Sequence, residues 1–304
     1  MFFIKKIAYF CSFFAKNWDN RKIFCNFALE MNNSIQLHNR LIDFSCPRVM
    51  AILNLSPDSF YTSCDVSYED RLLSTVEDMV CAGADILDLG ACSTRPLSTP
   101  VSAQTEWSLL ARALPAIRAH WPDLAISVDT FRADVAQQSI LHGADMINDV
   151  YGGDADSRMW QVIQQYNVPY VLTHARDITN TSHPTAISQL LDFMQDRLYA
   201  LRQLGINDVV LDPGFGFGKT VEQNYALLRQ LDVLQVLHAP LLVGISRKSM
   251  LYKPLGLSPQ DVLPATVAAH MLALQNGANI LRVHDVEPAI QAIKIYQLTA
   301  QKPH

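Results

Sequence analysis

Eight short apolar runs recur between residues 49 and 284, with helix-length segments between them. They are Val49–Asn54, Asp85–Leu89, Ala125–Asp129, Asp145–Asp149, Pro169–Thr173, Val209–Asp212, Leu241–Ile245 and Asn279–His284. Each is bounded by Gly, Pro or polar residues, as strands buried on both faces of a parallel sheet are. The intervening segments carry a helical period. Ser67-x-x-Asp70 is a capping-box-like start before Leu72, Leu73, Val76, Met79 and Val80, and Gly83 stops that helix. Leu109, Leu110, Ala113, Leu114 and Ile117 mark the next. Strands alternating with helices predict βαβ units, and eight units in ~250 residues is the size of a (β/α)8 barrel. The expected fold is therefore α/β, a single TIM-type barrel over residues 31–304 behind a short N-terminal extension, residues 1–30.

An internal repeat supports the barrel. Gly83-Ala84-Asp85-Ile86-Leu87, Gly143-Ala144-Asp145-Met146-Ile147 and Gly277-Ala278-Asn279-Ile280-Leu281 are three copies of a helix end, a turn and a strand start. Five residues after each Gly stand Asp88, Asn148 and Arg282. Side chains alternate along a strand, so these three should face the same way, into the barrel. Their apolar neighbours should pack under the helices.

Composition narrows the class. Hydrophobic residues are 49% and charged residues 17% of 304, too apolar for a disordered chain. There are 24 basic against 29 acidic residues, net −5, with no basic stripe, so no nucleic-acid partner is expected. No apolar stretch reaches ~18 residues, so stable membrane insertion is not expected. Six cysteines form no C-x-x-C pair, which reads as free thiols in a reducing, cytoplasmic setting. Residues 1–30 differ, holding seven of the thirteen Phe and a net charge of +3. A dispensable extension before a start at Met31 is the first reading; a surface helix and a targeting segment are the others.

The eight strand ends are polar: Asn54; Asp88 with Ser93-Thr94-Arg95; Asp129; Asn148-Asp149; His174; Asp212; Ser246-Arg247-Lys248; and Arg282-x-His284-Asp285. A barrel carries its active site on this face. Any one of them has a bland explanation: Asp129 as a turn former, Asn148 as a backbone partner, Lys248 as a solvated helix start, His174 or His284 as a core histidine. Eight together are hard to explain by packing, because each unpaired buried polar group costs ~1–3 kcal/mol. Asp129, Asn148 and Asp212 offer acceptors and an amide, suited to an aminopyrimidinone edge. Lys248, Arg282 and His284, with Thr94, suit an anion such as diphosphate. Asn54 can give a hard cation its carbonyl oxygen.

Gly214-Phe215-Gly216-Phe217-Gly218-Lys219-Thr220 invites a phosphate-loop reading, but Gly214 leaves three residues before the Gly-Lys pair where four are needed. A Gly-rich loop presenting aromatics at the site is the better account.

From about Val49 to Asp285 the chain resembles dihydropteroate synthases. The segments are Ile52 to Phe60, Ser93-Thr94-Arg95-Pro96, Ser127-Val128-Asp129-Thr130, Ile147-Asn148-Asp149, Leu211 to Lys219, Ser246-Arg247-Lys248-Ser249 and Arg282-Val283-His284-Asp285. Seven in order, each at a predicted strand end, are specific. The resemblance implies a transferase that joins 6-hydroxymethyl-7,8-dihydropterin diphosphate to 4-aminobenzoate and releases diphosphate. It implies that Asp129, Asn148, Asp212 and Lys248 hold the pterin. Asn54, Arg282 and His284 would serve diphosphate and Mg2+, with Asn54 on the metal. Thr94, Arg95, Pro96, Phe215 and Ser246 would surround the aminobenzoate. Lys248, Arg282 and His284 would be the catalytic set. A homodimer and mobile first and second βα loops are implied as well.

The chain departs from the family at Cys92 (usually Glu), at Leu97 (usually Gly), at Tyr61-Thr62-Ser63-Cys64, and at Thr173-His174-Ala175, where Met-His-Met is usual. These differences bear on loop closure and sulfonamide sensitivity rather than on the reaction. Two other readings compete: a methyltetrahydrofolate-dependent methyltransferase, which has no diphosphate to bind, and a non-catalytic pterin-binding paralogue.

Overall fold

In a computed structural model the described residues are 34–37, 40–55, 68–91 and 101–300. The expectations for residues 1–30 and for the Ser67 cap lie outside them.

A hairpin opens the described chain. β1 (Ser34–Leu37) and β2 (Arg40–Asp43) pair antiparallel, Ile35 opposite Ile42. Eight barrel strands follow: β3 (Arg48–Asn54), β4 (Ile86–Gly90), β5 (Ala125–Asp129), β6 (Met146–Asp149), β7 (Tyr170–Thr173), β8 (Val209–Asp212), β9 (Leu242–Val243) and β10 (Ile280–Val283). All neighbours pair in parallel, in the order β8-β7-β6-β5-β4-β3-β10-β9. A parallel bridge between Leu211 and Leu241 closes the ring, and the Leu211 N–H donates to the Pro240 carbonyl at 2.8 Å. The eight expected strands are all present. The last two are shorter than their apolar runs, β9 most of all.

The helices are α1 (Tyr68–Cys81), α2 (Ala103–His120), α3 (Ala133–Leu141), α4 (Met159–Tyr166), α5 (His183–Gln203), α6 (Val221–Arg229), α7 (Ser249–Leu255), α8 (Leu263–Gln275) and α9 (Val286–Ala300). No helix among the described residues is long and apolar enough to cross a membrane.

The internal repeat has a physical cause. Gly83, Gly143 and Gly277 take φ of +102°, +105° and +95°, a region that side chains avoid. Two residues later, Asp85, Asp145 and Asn279 each pin the start of a neighbouring strand. Their side chains accept from the backbone N–H of Val49 at 2.8 Å, Ile126 at 2.9 Å and Leu241 at 2.9 Å. Their own N–H groups donate back to the carbonyls of the same three residues. One sequence unit therefore turns the chain and sets strand register.

Period-two alternation then sorts the interior. The lowest inward residues are Met50, Ile86, Ala125, Met146, Val171, Val210, Leu242 and Ile280, one from each strand. Ile35, Leu37, Ile42 and Phe44 of the hairpin segment pack on them and seal the barrel floor. This plug was not expected. Its signal was the alternation Ile35-x-Leu37 and Ile42-x-Phe44, short enough to pass for linker. With the floor sealed, ligands reach the interior from the other end.

Phe44 is 4% exposed. Phe44→Ala should therefore destabilise the protein by about 3–5 kcal/mol in urea melts. Turnover per folded molecule should be unchanged, because the floor lies under the site rather than in it.

Candidate functional site

One layer above the apolar floor the interior turns polar. Asp88, Ser127, Asn148, Thr173 and Asp212 come from five consecutive strands, β4 to β8, and all are buried. Arg282 faces them from β10. The repeat's prediction is met: Asp88, Asn148 and Arg282 share the interior and touch. One oxygen of Asp88 accepts from Asn148 Nδ2 at 2.9 Å and from Arg282 Nε at 2.6 Å. A carboxylate can only accept, so Asp88 turns the Asn148 amide nitrogen toward itself and leaves the amide oxygen for a donor-bearing partner.

Arg282 bridges two carboxylates. Its Nη2 donates to Asp129 Oδ2 at 2.7 Å while Nε holds Asp88. Burial pulls Arg282 down, but Asp88, Asp129 and Asp212 outweigh it and keep the guanidinium charged. Burial pushes the Asp129 carboxyl up to about 7, against the pull of Arg282. The same desolvation raises Asp212, opposed by Lys248 and by the Gly214 amide.

Lys248 precedes α7 but is no solvated lysine. Its ammonium donates to the Phe215 carbonyl and lies 4.1 Å from the centre of the Phe217 ring. Burial pulls it down to about 8, while Asp212 opposes the shift. The Phe215 ring is fully buried, so Phe215 meets the site through its carbonyl and Phe217 is the aromatic that faces Lys248.

The turn carrying these two phenylalanines closes on itself. Asp212 Oδ1 accepts from the Gly214 N–H at 2.8 Å, and Asn224 Oδ1 from the Gly216 N–H at 2.8 Å. Gly214, Gly216 and Gly218 all have positive φ. A Cβ on Gly214 or Gly218 would strike the carbonyl of His174 or Arg176, and one on Gly216 would sit 2.9 Å from Lys248 Cδ. The glycines serve close backbone approach within the protein, not a phosphate. Lys219 sits in the middle. It donates to the carbonyls of His174, Gly214 and Phe217, each at 3.0 Å, and its Nζ is 3.1 Å from His174 Nδ1. Burial and then Lys219 pull His174 down to about 3, so its imidazole is neutral and can accept.

At the rim, Ser246 Oγ accepts from the His284 N–H at 3.3 Å and lies 3.1 Å from His284 Nδ1. Beside them Arg247, at φ +55°, pairs both ends of its guanidinium with Asp285. These contacts lace the loop after β9 to the loop after β10. Asn54 ends β3 with its side chain exposed, and its Oδ1 would stand 3.9 Å from a Cβ on Gly90. Thr94, Arg95 and Pro96, with Cys92 and Leu97, lie outside the described residues.

Known proteins resemble this chain in sequence and fold. The family model described as "Pterin binding enzyme" matches residues 50–284. A dihydropteroate synthase of Clostridium beijerinckii is 36% identical over 84% of this chain and 94% of its own. The chain belongs to the pterin-binding enzyme family, among the dihydropteroate synthases. Two solved dihydropteroate synthases carry the match into three dimensions. The enzyme from Clostridium difficile, crystallised in the presence of pteroic acid, aligns with a TM-score of 0.80 and 36% identity, over 85% of this chain and 98% of its own. The enzyme from Xanthomonas albilineans, with 4-aminobenzoic acid, aligns with a TM-score of 0.82 and 33% identity, over 89% and 99%. Family membership makes the chain a transferase on a TIM-type barrel.

Within that barrel the interior gathers Asp129, Asn148, Asp212, Lys248 and Arg282, with Ser246 and His284 at the rim. Sequence reasoning gave no role to Asp88, Lys219, Arg247 or Asp285. Asp88 had a signal, being the repeat partner of Asn148 and Arg282. Lys219 had none beyond the rejected phosphate-loop pattern.

The shift at Asp129 has a sign that can be checked. An unfolded aspartate ionises near pH ~3.9, whereas folded Asp129 keeps its proton to about 7. Between those values the folded state binds more protons, so this contribution to stability, full below about pH 4, is lost as pH rises through 7. Asp129→Asn removes it. In urea melts, the stability of wild type relative to the variant should fall from pH 4 to pH 7. A flat difference would mean that Arg282 holds Asp129 ionised throughout.

Proposed function

We propose that this chain condenses 6-hydroxymethyl-7,8-dihydropterin diphosphate with 4-aminobenzoate, giving 7,8-dihydropteroate and diphosphate. One observation carries the reading: Asp129, Asn148 and Asp212 lie in one barrel interior with Lys248 and Arg282. The acceptors suit the N–H groups of an aminopyrimidinone, with the Asn148 oxygen freed by Asp88. Lys248 supplies a donor to the ring's acceptor edge. Arg282 keeps Nη1 beyond its two carboxylate contacts, and His284 stands at the rim, so both can meet the diphosphate.

In the reaction the bond between the pterin methylene and the diphosphate oxygen breaks, and its electron pair leaves with diphosphate. The aminobenzoate nitrogen then bonds to the methylene carbon and loses a proton. Positive charge grows on the pterin as the bond breaks. Asp129 and Asp212 lie where they can stabilise it without reorganising, while Arg282 and His284 take the leaving charge. The amine needs positioning more than activation. Thr94, Arg95, Pro96 and Ser246, with the Phe215–Phe217 turn, are proposed to border the aminobenzoate. The bound molecules named for the two solved relatives, pteroic acid and 4-aminobenzoic acid, support this choice of substrates.

Mg2+ is the proposed cofactor. The described residues contain no group of three or more His, Cys, Asp or Glu able to hold a metal ion. Asn54 offers one amide oxygen, and that fits an ion which takes its other ligands from diphosphate and water. When bound, Mg2+ would neutralise charge on the departing diphosphate. The family resemblance also implies a homodimer working in the cytoplasm.

The test is diphosphate release from the chain beginning at Met31, with the dihydropterin diphosphate, Mg2+ and 4-aminobenzoate. Release that depends on 4-aminobenzoate, with dihydropteroate formed, is the expected result. Folded protein that binds pterin without releasing diphosphate would favour the non-catalytic paralogue. Lys248→Ala and Arg282→Ala should each lower kcat/KM by ~100-fold or more per folded molecule, with Arg282→Ala also less stable in urea melts because it leaves Asp88 and Asp129 without their cation. Wild-type turnover in either would remove that residue from the site.

A further inference from the structure

Lys219 is the one titratable group of the Gly-rich turn, and the proposed chemistry does not use it; burial pulls its ammonium down to about 7, against the opposing charge of Asp212. Lys219 is given no contact with substrate itself, yet it is held on four sides: three carbonyls at 3.0 Å and the neutral His174 imidazole at 3.1 Å. An ammonium has three hydrogens, so those four acceptors exhaust it and leave nothing for a ligand. Two of the carbonyls, Gly214 and Phe217, flank the carbonyl of Phe215, and that carbonyl is the acceptor for Lys248. The ring of Phe217, under the Lys248 ammonium, belongs to the same turn. The two lysines therefore grip one five-residue turn from opposite sides. Gly216 lies between them, too close to the Lys248 stem to carry a side chain.

We propose that Lys219 is a positioning residue. It folds the Gly214–Gly218 turn around its ammonium, so that the Phe215 carbonyl and Phe217 ring fix Lys248 in line with Asp212. Its effect on the reaction runs through that turn, to the pterin by way of Lys248 and to the 4-aminobenzoate that the same turn is proposed to border. Asn224 fastens the same turn at the Gly216 N–H, which keeps the loop from unravelling when Lys219 is replaced. The departure at Thr173-His174-Ala175 keeps the histidine that the cage needs.

The proposal rests on the pterin reading of the site, and the experiment separates the two. Binding of the dihydropterin diphosphate is measured by calorimetry for wild type, Lys219→Met, Lys248→Met and the double variant, beside their melting temperatures. The KM for each substrate is measured for wild type and Lys219→Met. No pterin binding by wild type would fail the functional reading itself. With wild type binding, Lys219→Met should weaken the pterin about tenfold, the size of one hydrogen bond to a charged group. The KM for 4-aminobenzoate should rise as well, because the Phe215–Phe217 turn borders it, whereas the loss of pterin affinity depends on Lys248. In the Lys248→Met background the same change should weaken binding by less than about twofold, because sites acting through one group are not additive. An equal loss in both backgrounds, or a fall in melting temperature with unchanged pterin affinity, would overturn the proposal. If Lys219→Met does not fold, Lys219→Gln, whose amide keeps two donors for the carbonyls, is read by the same criteria.

Discussion

Arg282 lies between Asp88 and Asp129 inside the barrel, and the polar interior is built outward from that contact. Two carboxylates taken out of water would not coexist there without a cation between them. Arg282 supplies it in the fork geometry that lets Nε and Nη2 serve different partners. Asp88 then orients Asn148 across β5, and Asp129 is left facing the mouth. Lys248 acts on Asp212 through space, its charge opposing the upward shift that burial imposes on that carboxyl. The result is a buried interior with charged walls in which Arg282 already pairs Asp88 and Asp129 before a ligand arrives, while Asp88 Oδ1, Ser127 Oγ and Thr173 Oγ1 have no hydrogen-bond partner among the described residues. Such a site can respond to charge that develops during a reaction without first rearranging.

That pocket needs a floor and a rim. The floor comes from the β1–β2 hairpin, whose Ile35, Leu37, Ile42 and Phe44 cover the lowest inward residue of every strand. The rim depends on loops that tie to one another: Ser246 to His284, Arg247 to Asp285, and the Gly214–Gly218 turn to both Lys219 and Lys248. The Ser246, Arg247 and Lys248 ties join loops from different strands, and Lys219 joins its own turn to the His174 carbonyl after β7. The side chains at the mouth are therefore set by neighbours far along the chain rather than by local conformation.

Much of this was legible in order of appearance. Eight apolar runs ending in polar residues marked the strands, and the Gly-Ala-Asp/Asn repeat marked the turns that align them. Counting five from the repeat's glycine placed Asp88, Asn148 and Arg282 on one face, because alternation along a strand is a local rule. Asp129 and Asp212 were marked instead by standing at the polar ends of their strands. Phe215 was read as an aromatic presented to a ligand, and its ring is instead buried while its carbonyl reaches Lys248. A sequence shows side chains, and here the working group is backbone. Lys219 escaped for a related reason. Its partners are three carbonyls and an imidazole that meet only after the turn has closed on β7.

The amino-acid sequence alone determined the period, the polarity of strand ends and the positions that need glycine, because these follow from neighbours a few residues away. It was enough for a parallel barrel with chemistry at one mouth. Only the tertiary structure decided who pairs with whom: Asp88 with both Asn148 and Arg282, Lys219 with the turn, the hairpin with the floor. Those pairings join residues as far apart as 88 and 282, and they exist only once ring closure brings distant strands around a common axis.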